Sequence, residues 1–229
     1  MRFPFHPIMP EILSKKKQRW NAIERELEKL YPQPKVGLEF EDPFELTIAT
    51  ILSAQCTDAR VNMVTQKLFK KYKKPQDYLR VPAKELEKDI HSTGFYKNKA
   101  KNIRGCCQRL IDHFKGKVPQ TMEELISLPG VGRKTANIVL WGGFGKLEGI
   151  AVDTHVFRVA RRLGLANGNS PEKVEQELMA FVDRPKWGDF TNVLIWHGRK
   201  VCDARKPRCS GCVLLKNKLC PQVGVTAHA

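Results

Sequence analysis

The chain is 229 residues long and carries 40 Lys+Arg against 24 Asp+Glu, a formal net charge of +16. That length suits one large domain or two modest ones. The charge favours an anionic partner, nucleic acid first and an anionic membrane surface second. No run of ~18 apolar residues exists, so a membrane span is not expected. The opening stretch, MRFPFHPIMPEILSKKKQRW, sets apolar residues before basic ones and is interrupted by Pro4, Pro7 and Pro10. A secretory signal has the opposite order. The protein is therefore expected inside the cell, cytoplasmic or associated with the nucleoid. Seven cysteines in a reducing compartment are free or metal-bound rather than paired in disulfides.

In chain order, residues 15–30 place Trp20, Ile23, Leu27 and Leu30 at helical spacing, and Tyr31-Pro32-Gln33-Pro34 ends that helix. Asp42 with Pro43 predicts a capped start, and FELTIATILSA is apolar enough for a buried helix. Asp58 is the expected cap of ARVNMVTQKLFKKY, whose Val61, Val64, Leu68 and Phe69 share a face. Pro82 opens AKELEKDI. Gly94-Phe95 breaks the chain, and YKNKAKNIRGCCQRLIDHF then runs as a basic amphipathic helix to Gly116.

Thr121 with Glu124 reads as a capping box for MEELISL. Pro129-Gly130-Val131-Gly132 cannot continue that helix, and a second helix starts near Arg133 and runs to about Trp141. Gly142, Gly143 and Gly145 are expected to form a flexible link. Asp153 caps THVFRVARRL, with Gly164 just past its end. Ser170-Pro171 starts EKVEQELMAFV, and residues 186–200 form one more helix. About ten helices and no alternating strand predict an all-α fold.

The glycine hairpin reads in two ways. It is an ordinary tight connection, or it is a phosphate seat built from exposed N–H groups and the positive end of a helix, flanked by Arg133, Lys134 and Thr135. Such a seat grips a backbone without reading sequence. Lys134, in the first turn, is either one more phosphate contact or a nucleophile, since that position favours the neutral amine. Asp153 is a helix cap whose carboxylate also suits developing positive charge. Together the two residues suit cleavage of a base from a sugar, where a carboxylate stabilises an oxocarbenium-like state and an amine attacking the anomeric carbon gives a Schiff base.

Cys202, Cys209, Cys212 and Cys220 form C-x6-C-x2-C-x7-C. By spacing alone zinc and an iron–sulfur cluster are equal choices, and the single CxxC leans toward the cluster. Cys56, Cys106 and Cys107 read as small buried hydrophobes. Phe95 would ordinarily be core, but an exposed apolar residue at a loop tip can wedge into a base stack. Trp141 and Trp196 read as core.

Taken together, LSAQCTDARVN, STGFYKNKAKNI, LPGVGRKTAN, VDTHVFRVARRLGL and the four-cysteine tail resemble the endonuclease III family of helix-hairpin-helix DNA glycosylases, over residues 20 to 221. The resemblance implies a two-lobed fold. A six-helix domain would span 38–146, with the helix-hairpin-helix at about 121–141. A second domain from 1–37 and 147–229 would hold a [4Fe-4S] cluster on the four cysteines, with DNA across the cleft. By this resemblance Lys134 is the Schiff-base nucleophile and Asp153 assists it. Gln55 and Phe95 fill the gap left by a flipped nucleotide, and the other DNA contacts fall at Leu128, Gly130, Gly132, Arg133, Thr135 and His155.

The implied protein is a monomer that excises oxidised pyrimidines from duplex DNA and nicks the strand by β-elimination. Its rivals are a monofunctional glycosylase for mismatched or deaminated bases and a non-enzymatic iron–sulfur DNA-binding protein. Two departures from the family stand out: seven residues before the last cysteine where five are usual, and Trp141-Gly142 where small and polar residues are typical.

Overall fold

The computed structural model describes residues 13–32, 37–226 and 228. The three N-terminal prolines and Gln33-Pro34 lie outside the described residues. No strand occurs among the described residues, which form twelve α-helices and three short 3-10 turns. The chain divides into two compact units, one of Met1–Pro34 with Val152–Ala229 and the other of Lys35–Ala151.

The continuous unit holds α2 (Pro43–Ser53), α3 (Asp58–Lys71), α4 (Pro75–Arg80), α5 (Ala83–Ile90), α6 (Tyr96–Phe114), α7 (Met122–Ile126) and α8 (Arg133–Phe144). Asp42 caps α2 by accepting from the Glu45 N–H at 2.8 Å, and Pro43 takes the first position, where its missing N–H costs nothing. Every α2 residue from Leu46 to Leu52 is buried. A helix apolar all round belongs at a core centre, and α6 and α8 pack on it.

Three local expectations change. The cap of α3 is Thr57, whose hydroxyl accepts from the Arg60 N–H, and Asp58 is the first helical residue. Helix α4 has no counterpart in the sequence reading. It buries only Pro75 and Tyr78, too few to show a period, and Arg104 of α6 holds its end by donating to the carbonyls of Tyr78 and Val81, each at 2.7 Å. Gly142 and Gly143 are not a link but the last full turn of α8. A Cβ on either would come within 3.0 Å of Leu46 or Pro43, so these glycines let α8 lie close against α2. Helix α8 ends only at Gly145, which is left-handed.

The discontinuous unit holds α1 (Leu13–Leu30), α9 (Thr154–Arg162), α10 (Pro171–Met179), α11 (Trp187–Lys200) and α12 (Val213–Lys216). Trp20, Ile23 and Leu27 of α1 are buried as their spacing predicts, while Leu30 ends up exposed at the helix terminus. Trp20 packs on Phe190 of α11 with ring centroids 4.4 Å apart. The buried carboxylate of Glu24 is paired with Lys186 at 2.6 Å. Gly164 ends α9 in the left-handed conformation, and the Leu165 N–H returns to the Ala160 carbonyl, a Schellman closure. Trp141 and Trp196 are half-buried rather than core.

Candidate active site

The hairpin is fixed to α6 by two glycines on opposite sides of the contact. Gly105 of α6 leaves room for Pro129, since a Cβ there would stand 3.2 Å from the proline ring. Gly130, at φ +80°, faces Asn102, where a Cβ would meet the asparagine Cβ at 2.8 Å. The turn closes when the Val131 N–H donates to the Leu128 carbonyl at 3.0 Å. Gly132 is the N-cap of α8 and has no side chain to cap with; a Cβ on it would meet nothing within 4 Å. Gly132 thus puts no side chain of its own over the positive end of α8, a geometry suited to a phosphate.

Lys134 and Thr135 are half-buried in that first turn, and Arg133 is exposed. Leu128 departs from a side-chain DNA contact. Its side chain is 2% exposed and belongs to the core, which leaves only its main chain for a backbone-binding role. Lys134 makes no hydrogen bond or ion pair among the described residues, so nothing in its own unit occupies its amine. In the same unit, Gln55 is exposed at the end of α2, and Phe95, 65% exposed, sits just before α6. Both are left-handed, at φ +52° and +47°. Non-glycine residues pay about 1–2 kcal/mol for that conformation, and such strain gathers where a side chain must be aimed.

In the other unit, Asp153 caps α9. One carboxylate oxygen accepts from the N–H groups of His155 and Val156, each at 2.8 Å. No hydrogen bond to its second oxygen occurs among the described residues. The carboxylate is half-buried at the positive end of α9. His155 is half-buried, and its Nδ1 lies 3.1 Å from the Arg158 guanidinium. Arginine only donates, so Nδ1 accepts.

The four cysteines are free and line one pocket with apolar walls that include Val159, Leu163, Val201 and Leu215. No three His, Cys, Asp or Glu side chains among the described residues close on a point as a single-ion site requires. Four thiols around one pocket are donors that either zinc or an iron–sulfur core accepts.

The longer spacer before Cys220 folds into α12. Leu214 is its buried anchor, and Lys218 turns left-handed so that the N–H groups of Leu219 and Cys220 reach the Leu214 carbonyl. The seven residues before Cys220 thus include a helical turn, and Cys220 lines the pocket.

Sequence reasoning missed Arg158 and Arg162. They lie one turn apart on α9 and grip the cysteine loop: Arg158 donates to the carbonyls of Gly198 and Cys202, and Arg162 to those of Asp203 and Ala204, with Cys202 Sγ 3.4 Å from its Nη1. Their i, i+4 spacing was a signal, but it looked like any basic face.

The model of the HhH-GPD superfamily of base excision DNA repair proteins matches residues 48–184. Endonuclease III of Synechocystis sp. is 50% identical over 209 residues, 91% of this chain and 94% of that protein. Two solved structures are also similar, each at 47% identity, TM-score 0.85 and 90% of this chain. One is a non-covalent endonuclease III–DNA complex, of which 95% is covered, and the other a trapped endonuclease III–DNA covalent intermediate, of which 96% is covered. No helix among the described residues is long and apolar enough to cross a membrane.

Proposed function

The chain belongs to the endonuclease III family of the HhH-GPD superfamily, and from that premise we infer that it is a bifunctional DNA glycosylase and abasic-site lyase. Its substrate is duplex DNA carrying an oxidised pyrimidine. The observation that carries the reading is the unoccupied amine of Lys134 in the first turn of a helix whose N-cap, Gly132, leaves the phosphate seat open.

The hairpin N–H groups hold a backbone phosphate, which positions the strand. Gln55 and Phe95 enter the stack where the damaged nucleotide has left it. The neutral amine of Lys134 attacks C1′, the C1′–N bond breaks and the base departs with the bonding pair. Asp153 stabilises the positive charge that develops on the sugar. The amine then loses a proton, the C1′–O4′ bond breaks and O4′ takes a proton, so that the opened sugar is joined to Lys134 as a Schiff base. This acidifies the C2′ proton, whose loss expels the 3′ phosphate by β-elimination and nicks the strand. Water then frees Lys134.

Cys202, Cys209, Cys212 and Cys220 would hold a [4Fe-4S] cluster, which when bound ties their loop into a single piece. The loop's Lys206, Arg208, Lys216 and Lys218 are all exposed and available to phosphates. Each phosphate neutralised steepens the fall of affinity with salt by about 0.9 in log–log slope. The reading is tested by incubating the protein with a duplex carrying thymine glycol. It requires release of the damaged base and a nick 3′ to the sugar; base release without a nick would indicate a monofunctional glycosylase.

A further inference from the structure

Lys99 is buried, with 3% of its surface exposed, in the first turns of α6. Its ammonium donates to two backbone carbonyls, Leu52 at 2.7 Å and Thr93 at 2.8 Å. No carboxylate bonds to it among the described residues. Leu52 lies in the last turn of α2, whose carbonyls have no partners within the helix and form its negative end. Thr93 lies two residues before Phe95. The main-chain N–H of Lys99 also donates to the Phe95 carbonyl at 3.1 Å.

One residue therefore holds three points. One is two residues before Phe95, one is the Phe95 carbonyl itself, and the third is three residues before Gln55. Gln55 and Phe95 are two of the unit's three exposed non-glycine residues in the left-handed region, the third being Lys115 at the C-cap of α6. A strained backbone persists only where its surroundings over-determine it. Burial of an ammonium among carbonyls is costly to leave unmatched and strongly directional when matched.

We propose that Lys99 is a positioning residue for lesion recognition: its ammonium joins the Gln55 and Phe95 tips so that both side chains enter the gap of a flipped nucleotide together. The proposal rests on the functional reading above. Lys99 does not touch the reacting atoms. Its effect appears only where a gap must be filled, in duplex DNA, and not where the sugar is already accessible.

The test compares Lys99→Met, Lys99→Gln and Phe95→Ala with the wild type on two substrates, a duplex carrying thymine glycol and a single-stranded oligonucleotide carrying an abasic site. Lys99→Met keeps the length and removes the charge and donors; Lys99→Gln keeps one amide donor and carries the comparison if the methionine variant does not fold. Expected for the Lys99 variants is a loss of roughly tenfold or more in kcat/KM on the duplex, with single-strand β-elimination within about twofold of wild type. Phe95→Ala added to Lys99→Met should cost little more than Lys99→Met alone, because both act through the same tip. Equal losses on both substrates, or effects of the two substitutions that multiply, would overturn the proposal. A wild-type protein inactive on both substrates would instead count against the functional reading.

Discussion

Gly130 and Asn102 stand so close that a Cβ on the glycine would lie 2.8 Å from the asparagine Cβ. Gly130 is also left-handed, at φ +80°. Two independent reasons thus require glycine there, while Gly132 two residues on meets neither: its φ is −94° and its surroundings are open. Gly130→Ala is predicted to lose about 1–3 kcal/mol of stability from the strained φ alone, with the clash added. Gly132→Ala should melt near the wild-type temperature yet bind abasic duplex DNA more weakly, because its Cβ intrudes only on the phosphate. Thermal melts and a DNA titration on both variants check this; a Gly132→Ala protein with unchanged affinity would remove the phosphate from that seat.

Asp153 caps α9, and the proposed reaction gives it a second, separable duty. Its capping bonds to His155 and Val156 are reproduced by asparagine, an equally good N-cap, and lost in alanine. Asp153→Asn should therefore fold with stability close to wild type and lose turnover, whereas Asp153→Ala should lose turnover and about 1 kcal/mol of stability. Chemical denaturation beside single-turnover cleavage separates the two. An asparagine variant with full activity would reduce Asp153 to a cap.

Desolvation lowers the pKa of Lys99 below the ordinary lysine value, opposed by the nearby Cys56 thiol. The unfolded chain then binds the proton more tightly than the folded one. The burial cost is fully present below the folded pKa and relieved as pH rises toward the ordinary lysine value of about 10.4. The stability difference between wild type and Lys99→Met should accordingly move in favour of wild type between neutral pH and about pH 10. Urea unfolding of both proteins across that range reads it, and a flat difference would mean that Lys99 titrates as it does in the unfolded chain.

The cysteine pocket gives a prediction independent of activity. Protein isolated without oxygen should contain iron and acid-labile sulfide and absorb in the visible blue, and Cys209→Ser should lose that absorbance. Zinc in place of iron would assign the four thiols to a single-ion site.

Much of this was legible in the sequence because the signals were local and chemically specific. Asp42-Pro43, Asp153 and Ser170-Pro171 begin helices where a side-chain oxygen meets free N–H groups, and each cap forms as predicted. The glycine hairpin and Gly164 declare themselves by backbone need. What stayed hidden depended on partners far along the chain. Helix α4 needs Arg104 to hold it. Gly142 and Gly143 read as a link until α2 is seen against them. Lys99 looked like one basic residue among many in α6. Its signal was positional: it stands at the head of the stripe continued by Ile103, Cys106, Cys107 and Leu110, all buried, and a charge on an apolar stripe has to be matched by something.

The most direct measurement of the central claim is borohydride trapping on two duplexes, one with thymine glycol and one with an abasic site. Lys134 as Schiff-base nucleophile predicts a covalent protein–DNA band on both, absent in Lys134→Gln although that variant still binds DNA. A band that persists in Lys134→Gln, or binding lost in step with trapping, would contradict it and leave Lys134 as a phosphate contact.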